Sequence, residues 1–354
     1  MTDPLVSIII PLFNAVDWIE TTIASACAQT YRAIEIIVVD DGSTDASPDK
    51  VAAMARRDHR IRLIMQDNGG VARARNKGLD AASGAFIATL DADDIWAPRK
   101  IELQLAALLA GPADAALAYN WYRRIGPDGR VLGTSPYPRL EGHLFHRHLE
   151  WNFISNGSTP LVRTDVARSI GFDPGLRDAG SEGCEDYLFQ LQVAHHHSFL
   201  CVPHFLTGYR QLPGSMGSSA ERMTRSHLAM FARIAGDAPT TAQPVIARRR
   251  AELHLALANM QARRKSPRSA HHLFAAIKAS PAATARTLLA RASRGRTLPF
   301  PAGTIGEAFD TCATDQRDGE WATLRSGKLL AALHKLDRQM SVNPIKPALV
   351  PEPH

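Results

Sequence analysis

Between residues 5 and 110 the chain alternates short β-branched runs with longer stretches whose apolar positions recur every three or four residues. Leu5–Ile10 (LVSIII) carries no charge, which predicts a strand buried on both faces, as in a parallel sheet. Helical spacing follows, with Ile19, Ile23, Ala26, Cys27 and Thr30 on one face, and Asp17 with Glu20 three residues on predicts a capping box. The same reading places strands at Ile34–Val39, Ile61–Met65 and Ala85–Leu90, separated by helices over Ser47–Arg57 and Val71–Ala82. Strand and helix in turn at this spacing predict a doubly wound α/β domain with a mostly parallel, Rossmann-like sheet.

Beyond residue 110 the pattern loosens. Residues 111–140, rich in Gly and Pro, predict irregular structure with short strands. Asp165–Ile170 and Asp186–His197 read as helices, with a strand at Phe199–Val202. After Pro213 the chain becomes rich in Ala, Arg and Leu, and helices are expected at Ala220–Ala235, Ile246–Arg264 and Ala282–Arg294. In the last of these, Arg286, Arg291 and Arg294 oppose Leu288 and Leu289, a basic amphipathic pattern. Asn343–His354, with four prolines, reads as a loose tail.

With 354 residues, 45% hydrophobic and 21% charged, the composition is that of a globular chain of about two domains. No apolar run approaches the ~18–20 residues that cross a bilayer, and the N-terminus shows no leader pattern, so a cytoplasmic protein is expected. Cys27, Cys184, Cys201 and Cys312 are scattered and read as reduced thiols. Residues 241–300 hold twelve Lys or Arg against the single acid Glu252, although the whole chain carries only +6. A basic block on a mildly acidic body suggests an anionic partner: a membrane surface, a nucleic acid or an acidic polymer.

Ligands of an open α/β sheet bind outside the carboxyl ends of its strands. There the chain places Pro11, Phe13 and Asn14 after strand one, Asp40-Asp41-Gly42 after strand two, Asn68-Gly69-Gly70 after strand three and Asp91-Ala92-Asp93-Asp94 after strand four. Neither a GxGxxG nor a GxxxxGK[ST] is present, which removes the dinucleotide and P-loop readings. Trp96 stands where a calcium loop needs Gly. A D-x-D after a buried strand, here Asp91-x-Asp93, suits a divalent Mg or Mn ion that takes one or two of these carboxylates and is completed by a substrate's phosphates. Asp41 could accept the imide N–H of a uracil, and Arg75 could reach diphosphate oxygens. The three consecutive histidines His195–His197 cannot converge on one ion and read as helix surface.

The segments VSIIIPLFNAVDWIETTIASACAQTY, IEIIVVDDGSTD and NGGVARARNKGLDAASGAFIATLDADD closely resemble the nucleotide-sugar half of family-2 glycosyltransferases, which have the GT-A fold. The resemblance resumes at GFDPGLRDAGSEGCEDYLFQL. It implies a GT-A domain over residues 1–215, with a nucleotide-sugar half (1–110) and an acceptor half (111–215), followed by a helical basic region over 216–342. It further implies metal-assisted, inverting transfer of one sugar from a nucleoside-diphosphate donor, with UDP favoured, to a glycan or lipid-linked acceptor. Asp186 would be the general base and Glu185 would shape the acceptor side. Pro11, Phe13, Asn14, Asp41, Asn68, Arg75 and Asp91 would face the donor. The processive Gln-x-x-Arg-Trp is absent; the chain has Tyr209-Arg210-Gln211-Leu212 instead, with Leu212 where non-processive members often carry a His that contacts the metal or diphosphate, which leaves that contact to Arg210, to His204 or to no residue. On this reading the basic block rests on the inner membrane face and binds no nucleic acid. A sugar-nucleotide nucleotidyltransferase or a non-catalytic anionic-polymer binder are the alternatives; the first lacks a Gly-rich basic loop after strand one, and the second leaves the strand-end acids unexplained.

Overall fold

The computed structural model describes residues 3–135, 137–212, 214, 219–292, 305–310, 312 and 327–342. The first half runs β1 (Val6–Leu12), α1 (Ile19–Cys27), β2 (Ile34–Asp40), α2 (Ser47–Ala55), β3 (Ile61–Met65), α3 (Val71–Ala81), β4 (Phe86–Thr89), β5 (Ile95–Trp96) and α4 (Lys100–Ala110). Then come β6 (Ala115–Ile125), β7 (Val131–Thr134), α5 (Phe145–Glu150), β8 (Leu161–Arg163), α6 (Thr164–Ile170), α7 (Gly175–Asp178), α8 (Glu185–His196) and β9 (Ser198–Arg210). Five helices follow: α9 (Ala220–Asp237), α10 (Gln243–Arg263), α11 (Arg268–Ala279), α12 (Pro281–Ala292) and α13 (Gly327–Val342).

The strands form one mixed, mostly parallel sheet in the order β3-β2-β1-β4-β8-β6-β9-β5, with β7 paired to β6. β1 lies parallel between β2 and β4, so chain order reverses beside it and a crevice opens at the carboxyl ends of β1 and β4. The uncharged β1 is buried along its whole length. Val6, Ile8, Ile10 and Leu12 pack with α1 and α4, whereas Ile9 faces the second core with α3 and α8, which is why the strand shows no polar alternation. Pro11 fits inside it because β4 pairs only as far as Ile9, and the N–H it lacks would have faced that unpaired side.

Four expectations need correction. No side chain caps α1; Glu20 pairs with Lys50 at 2.7 Å instead. Residues 115–125 form an eleven-residue central strand, because pairing to β8 and β9 buries Ala, Asn and Arg positions that have little strand preference of their own. The strand expected at Phe199–Val202 extends to Arg210, with the β6–β9 register shifting at Trp121 to accommodate Pro203. His195 is not helix surface: it stacks on Phe145 with ring centres 4.8 Å apart, and burial lowers its pKa to about 4.

Met230, Phe231, Ile234, Val245 and Ile246 of α9 and α10 join the same core as α8. Buried Asp337 of α13 accepts from the backbone N–H of His146 (2.7 Å) and from Arg147 Nε (2.7 Å), which fixes that helix to α5. Arg248 pairs with buried Glu150, and Glu221 takes both Arg225 and Arg264, so part of the basic block is neutralised internally. Arg294 and the tail 343–354 lie outside the described residues. Among those described, no helix is long and apolar enough to cross a membrane, and the four cysteines are free.

Candidate active site

The loop after β4 is the centre of the site. Asp94 points into the protein, where its carboxylate accepts from Ser158 Oγ (2.6 Å) and the Arg210 N–H (2.8 Å). Ser158 also accepts from the Asp91 N–H at 3.0 Å, and Thr22 Oγ1 donates to the carbonyls of Ala92 and Asp94. Arg210 Nε donates to the Asp93 carbonyl at 2.6 Å, and its Nη1 to the carbonyls of Gly126 and Pro127. The described contacts of Arg210 thus fix the acid loop against the β6–β7 turn.

With Asp94 turned inward, Asp91 and Asp93 remain beside the crevice. Asp91 pairs at 2.6 Å with Arg75, whose side chain is only 5% exposed. Arg75 is the fifth residue of α3, and its guanidinium reaches from that helix to Asp91 in the loop after β4. Burial works against its charge, while Asp91, Asp186 and Glu185 hold it cationic. Gly157 makes room for it: a Cβ there would lie 2.8 Å from Arg75 Nη2 and 3.7 Å from Asp186 Cβ. Asp91, in the loop after β4, and Asp186, in the first turn of α8, therefore both act on one arginine.

These acids are electrostatically strained. Burial, then the Asp91 charge, push the Asp93 carboxyl up to about 6 against the pull of Arg210. Burial pushes Asp186 up to about 7, with Asp91 and Glu185 adding to the rise and Arg75 opposing it. Glu185 folds back so that both oxygens accept from the Gly183 N–H at 3.0 Å. Tyr209 is a residue the sequence reading missed. Burial raises its phenol, and the charges of Asp94, Asp91, Asp186 and Asp93 all add to the rise.

Among the described residues no group of three or more His, Cys, Asp or Glu could hold a metal alone. Two hard carboxylates, one with raised proton affinity, do fit a Mg or Mn ion whose other ligands come from phosphate and water. Asp93 and Asp91 are the residues that would hold it.

The second part of the site lies at β2. Asp41 accepts from Gln66 Nε2 (2.8 Å) and the N–H groups of Gly69 (2.7 Å) and Gly70 (2.8 Å). Asn68 donates to the Asp41 carbonyl. Asn14, with φ 49°, accepts from the Thr44 N–H at 2.8 Å, and Phe13 stands 51% exposed at the β1 end. β2 and β4 flank β1, so Asp41 and the acid loop start roughly 10 Å apart along the sheet edge.

Residues 7–168 match the model of glycosyl transferase family 2. That segment is a family-2 glycosyltransferase domain. TuaG of Bacillus subtilis, named as a teichuronic acid biosynthesis glycosyltransferase, is 39% identical over 130 residues, 36% of this chain and 51% of TuaG. The matches span between about a third and about half of the first curated relatives' own lengths. S. aureus TarS 1–349, solved in complex with UDP-GlcNAc, superposes with a TM-score of 0.53 at 17% identity, covering 86% of this chain and 99% of that one. The mannosyltransferase PcManGT from Pyrobaculum calidifontis, solved with GDP-Man and Mn2+, gives 0.53 at 21% identity, covering 83% and 80%. At these identities the likeness is one of fold, and it places the family-2 domain in the GT-A architecture.

Proposed function

We propose that the chain transfers a single sugar, with inversion, from a nucleoside-diphosphate sugar to a hydroxyl of a surface glycan or lipid-linked acceptor. The observation that carries this reading is that Asp91 and Asp186 both act on Arg75, which puts a donor-side acid and a candidate base on one crevice. TuaG's name supports a place in polysaccharide biosynthesis.

Asp186 takes the acceptor's proton as its hydroxyl oxygen bonds to the anomeric carbon, and the bond from that carbon to the diphosphate breaks on the opposite face. A carboxyl pushed up to about 7 by burial is suited to this, because it holds a received proton better than an ordinary carboxyl does. Arg75 holds Asp91 and the base in fixed relation, and its positive charge lies beside the leaving group's path. A divalent ion, when bound, neutralises charge on the departing diphosphate. Asp41, Asn68, Asn14, Pro11 and Phe13 form the nucleoside end, and Glu185 borders the acceptor.

Calorimetry with UDP, GDP and dTDP, with and without Mn2+, tests the reading, followed by transfer assays with the matching sugars. At least one nucleotide should bind about tenfold or more tightly with Mn2+, and Asp93→Asn should abolish the gain. Binding of none of them, or an unchanged metal effect in the variant, overturns it.

We further place α11 and α12 on an anionic membrane surface. Phe274 (69% exposed), Ile277 (45%) and Leu289 (72%) project beside exposed Arg268, Lys278 and Arg286. Phe274→Glu should lower sedimentation with phosphatidylglycerol vesicles by roughly tenfold and leave the neutral-vesicle background unchanged.

A further inference from the structure

Arg177, on the short α7 segment, reaches across to the nucleoside end. Its Nη2 donates to Asn68 Oδ1, and its Nε lies 3.0 Å from Glu182 Oε1. The Asn68 amide is oriented by its own donation to the Asp41 carbonyl at 2.8 Å, so its oxygen is committed to Arg177. Gly70 makes the approach possible. A Cβ at that position, where φ is +90°, would stand 2.5 Å from Arg177 Cδ. These contacts aim the remaining nitrogen, Nη1, towards Asp41, where it stops 3.9 Å from Oδ2.

That distance is too long for a hydrogen bond between the two. Asp41 Oδ1 already accepts two donors, from Gln66 and Gly69. Oδ2 accepts only the Gly70 N–H among the described residues. The edge therefore offers a ligand one acceptor, Oδ2, beside one donor, Nη1. An imide presents the complement: uracil and thymine pair an N3–H with an adjacent carbonyl, and guanine does the same with N1–H and O6. Cytosine and adenine present the reverse order, a bare ring nitrogen towards the carboxylate and an amino group towards the guanidinium, so both contacts become repulsive.

We infer that Asp41 and Arg177 together read the imide edge of the donor's nucleobase, with Arg177 the specificity-determining residue that excludes cytosine and adenine. The inference rests on the donor-binding reading above and goes beyond it by adding to the base site a residue, Arg177, from an element, α7, outside the strand ends. A site that leaves charged groups facing like partners rejects the wrong ligand strongly.

The test is calorimetry of the full chain with UDP, GDP, CDP and ADP in the presence of Mn2+. The unsubstituted protein should bind UDP at least about thirtyfold more tightly than CDP. Arg177→Ala should weaken UDP about tenfold and bring the UDP-to-CDP ratio to within a few-fold, and Arg177→Lys, which keeps a charged donor, should retain part of the preference. An unchanged ratio in Arg177→Ala overturns the inference. So does tighter UDP binding at an unchanged ratio, which would mean that Arg177 merely occupies the base site. Failure of all four nucleotides to bind the unsubstituted protein removes the donor reading and this inference together.

Discussion

The two ends of the crevice treat a carboxylate in opposite ways. Asp41 is surrounded by N–H groups, two of them from the backbone, which hold it in place as a fixed negative partner. Asp93 and Asp186 stand half-buried among other acids, with Arg210 and Arg75 as partial compensation, and both hold their protons more tightly than a solvated carboxyl. A recognition group must present the same charge to every ligand. A group that binds a cation or receives a proton is better left short of partners until the ligand arrives. On the proposed reading the same residue type does two jobs, and the difference lies in how many donors the fold supplies.

The sharpest way to break this comparison is to neutralise each carboxylate without changing its shape. Asp186→Asn removes the candidate base but leaves Arg75 its pair with Asp91. Transfer should fall roughly 10²–10⁴-fold in kcat while nucleotide affinity stays within a few-fold. In the unsubstituted protein kcat should climb with pH and level off above an inflection near 7, where Asp186 is ionised. A profile flat from pH 5 to 9, or a variant that keeps full turnover, removes Asp186 from the chemistry.

How much of this was legible in the chain follows the same division. The βα units of the first half could be read because β1, β2 and β4 are buried on both faces and the helices between them carry an apolar stripe. Acids at strand ends were legible because the chain places them directly after those runs. Their partners were not. Arg75 could be read as a diphosphate contact, yet the fold pairs it with Asp91 and sets it beside Asp186, a relation that depends on Gly157 and on α8 docking. Ser158, which ties Asp91 to Asp94, sits in a loop with no local signal. Tyr209 lies more than a hundred residues beyond Asp91, Asp93 and Asp94, and Arg177 as far beyond Asp41. β6 was missed for a similar reason, since AALAYNWYRRI becomes a strand only between two neighbours that arrive later in the chain.

A smaller effect separates the two ends by stability alone. In Asp41→Asn one amide oxygen replaces two carboxylate oxygens, so the N–H groups of Gly69 and Gly70 cannot both be satisfied, and one of them faces the new NH₂. The expected loss is about 1–3 kcal/mol in urea unfolding. Asp186→Asn should behave in the opposite way. Because the folded protein binds the Asp186 proton more tightly than the unfolded chain, stability falls as pH rises from the ordinary carboxyl range towards about 7. An asparagine escapes that fall, so the variant should match the parent at pH 4 and exceed it at pH 8, by on the order of 1 kcal/mol. Equal destabilisation by both substitutions at pH 8 would mean that the two carboxylates are held alike, and the contrast between a fixed anion and a poised base would have to be abandoned.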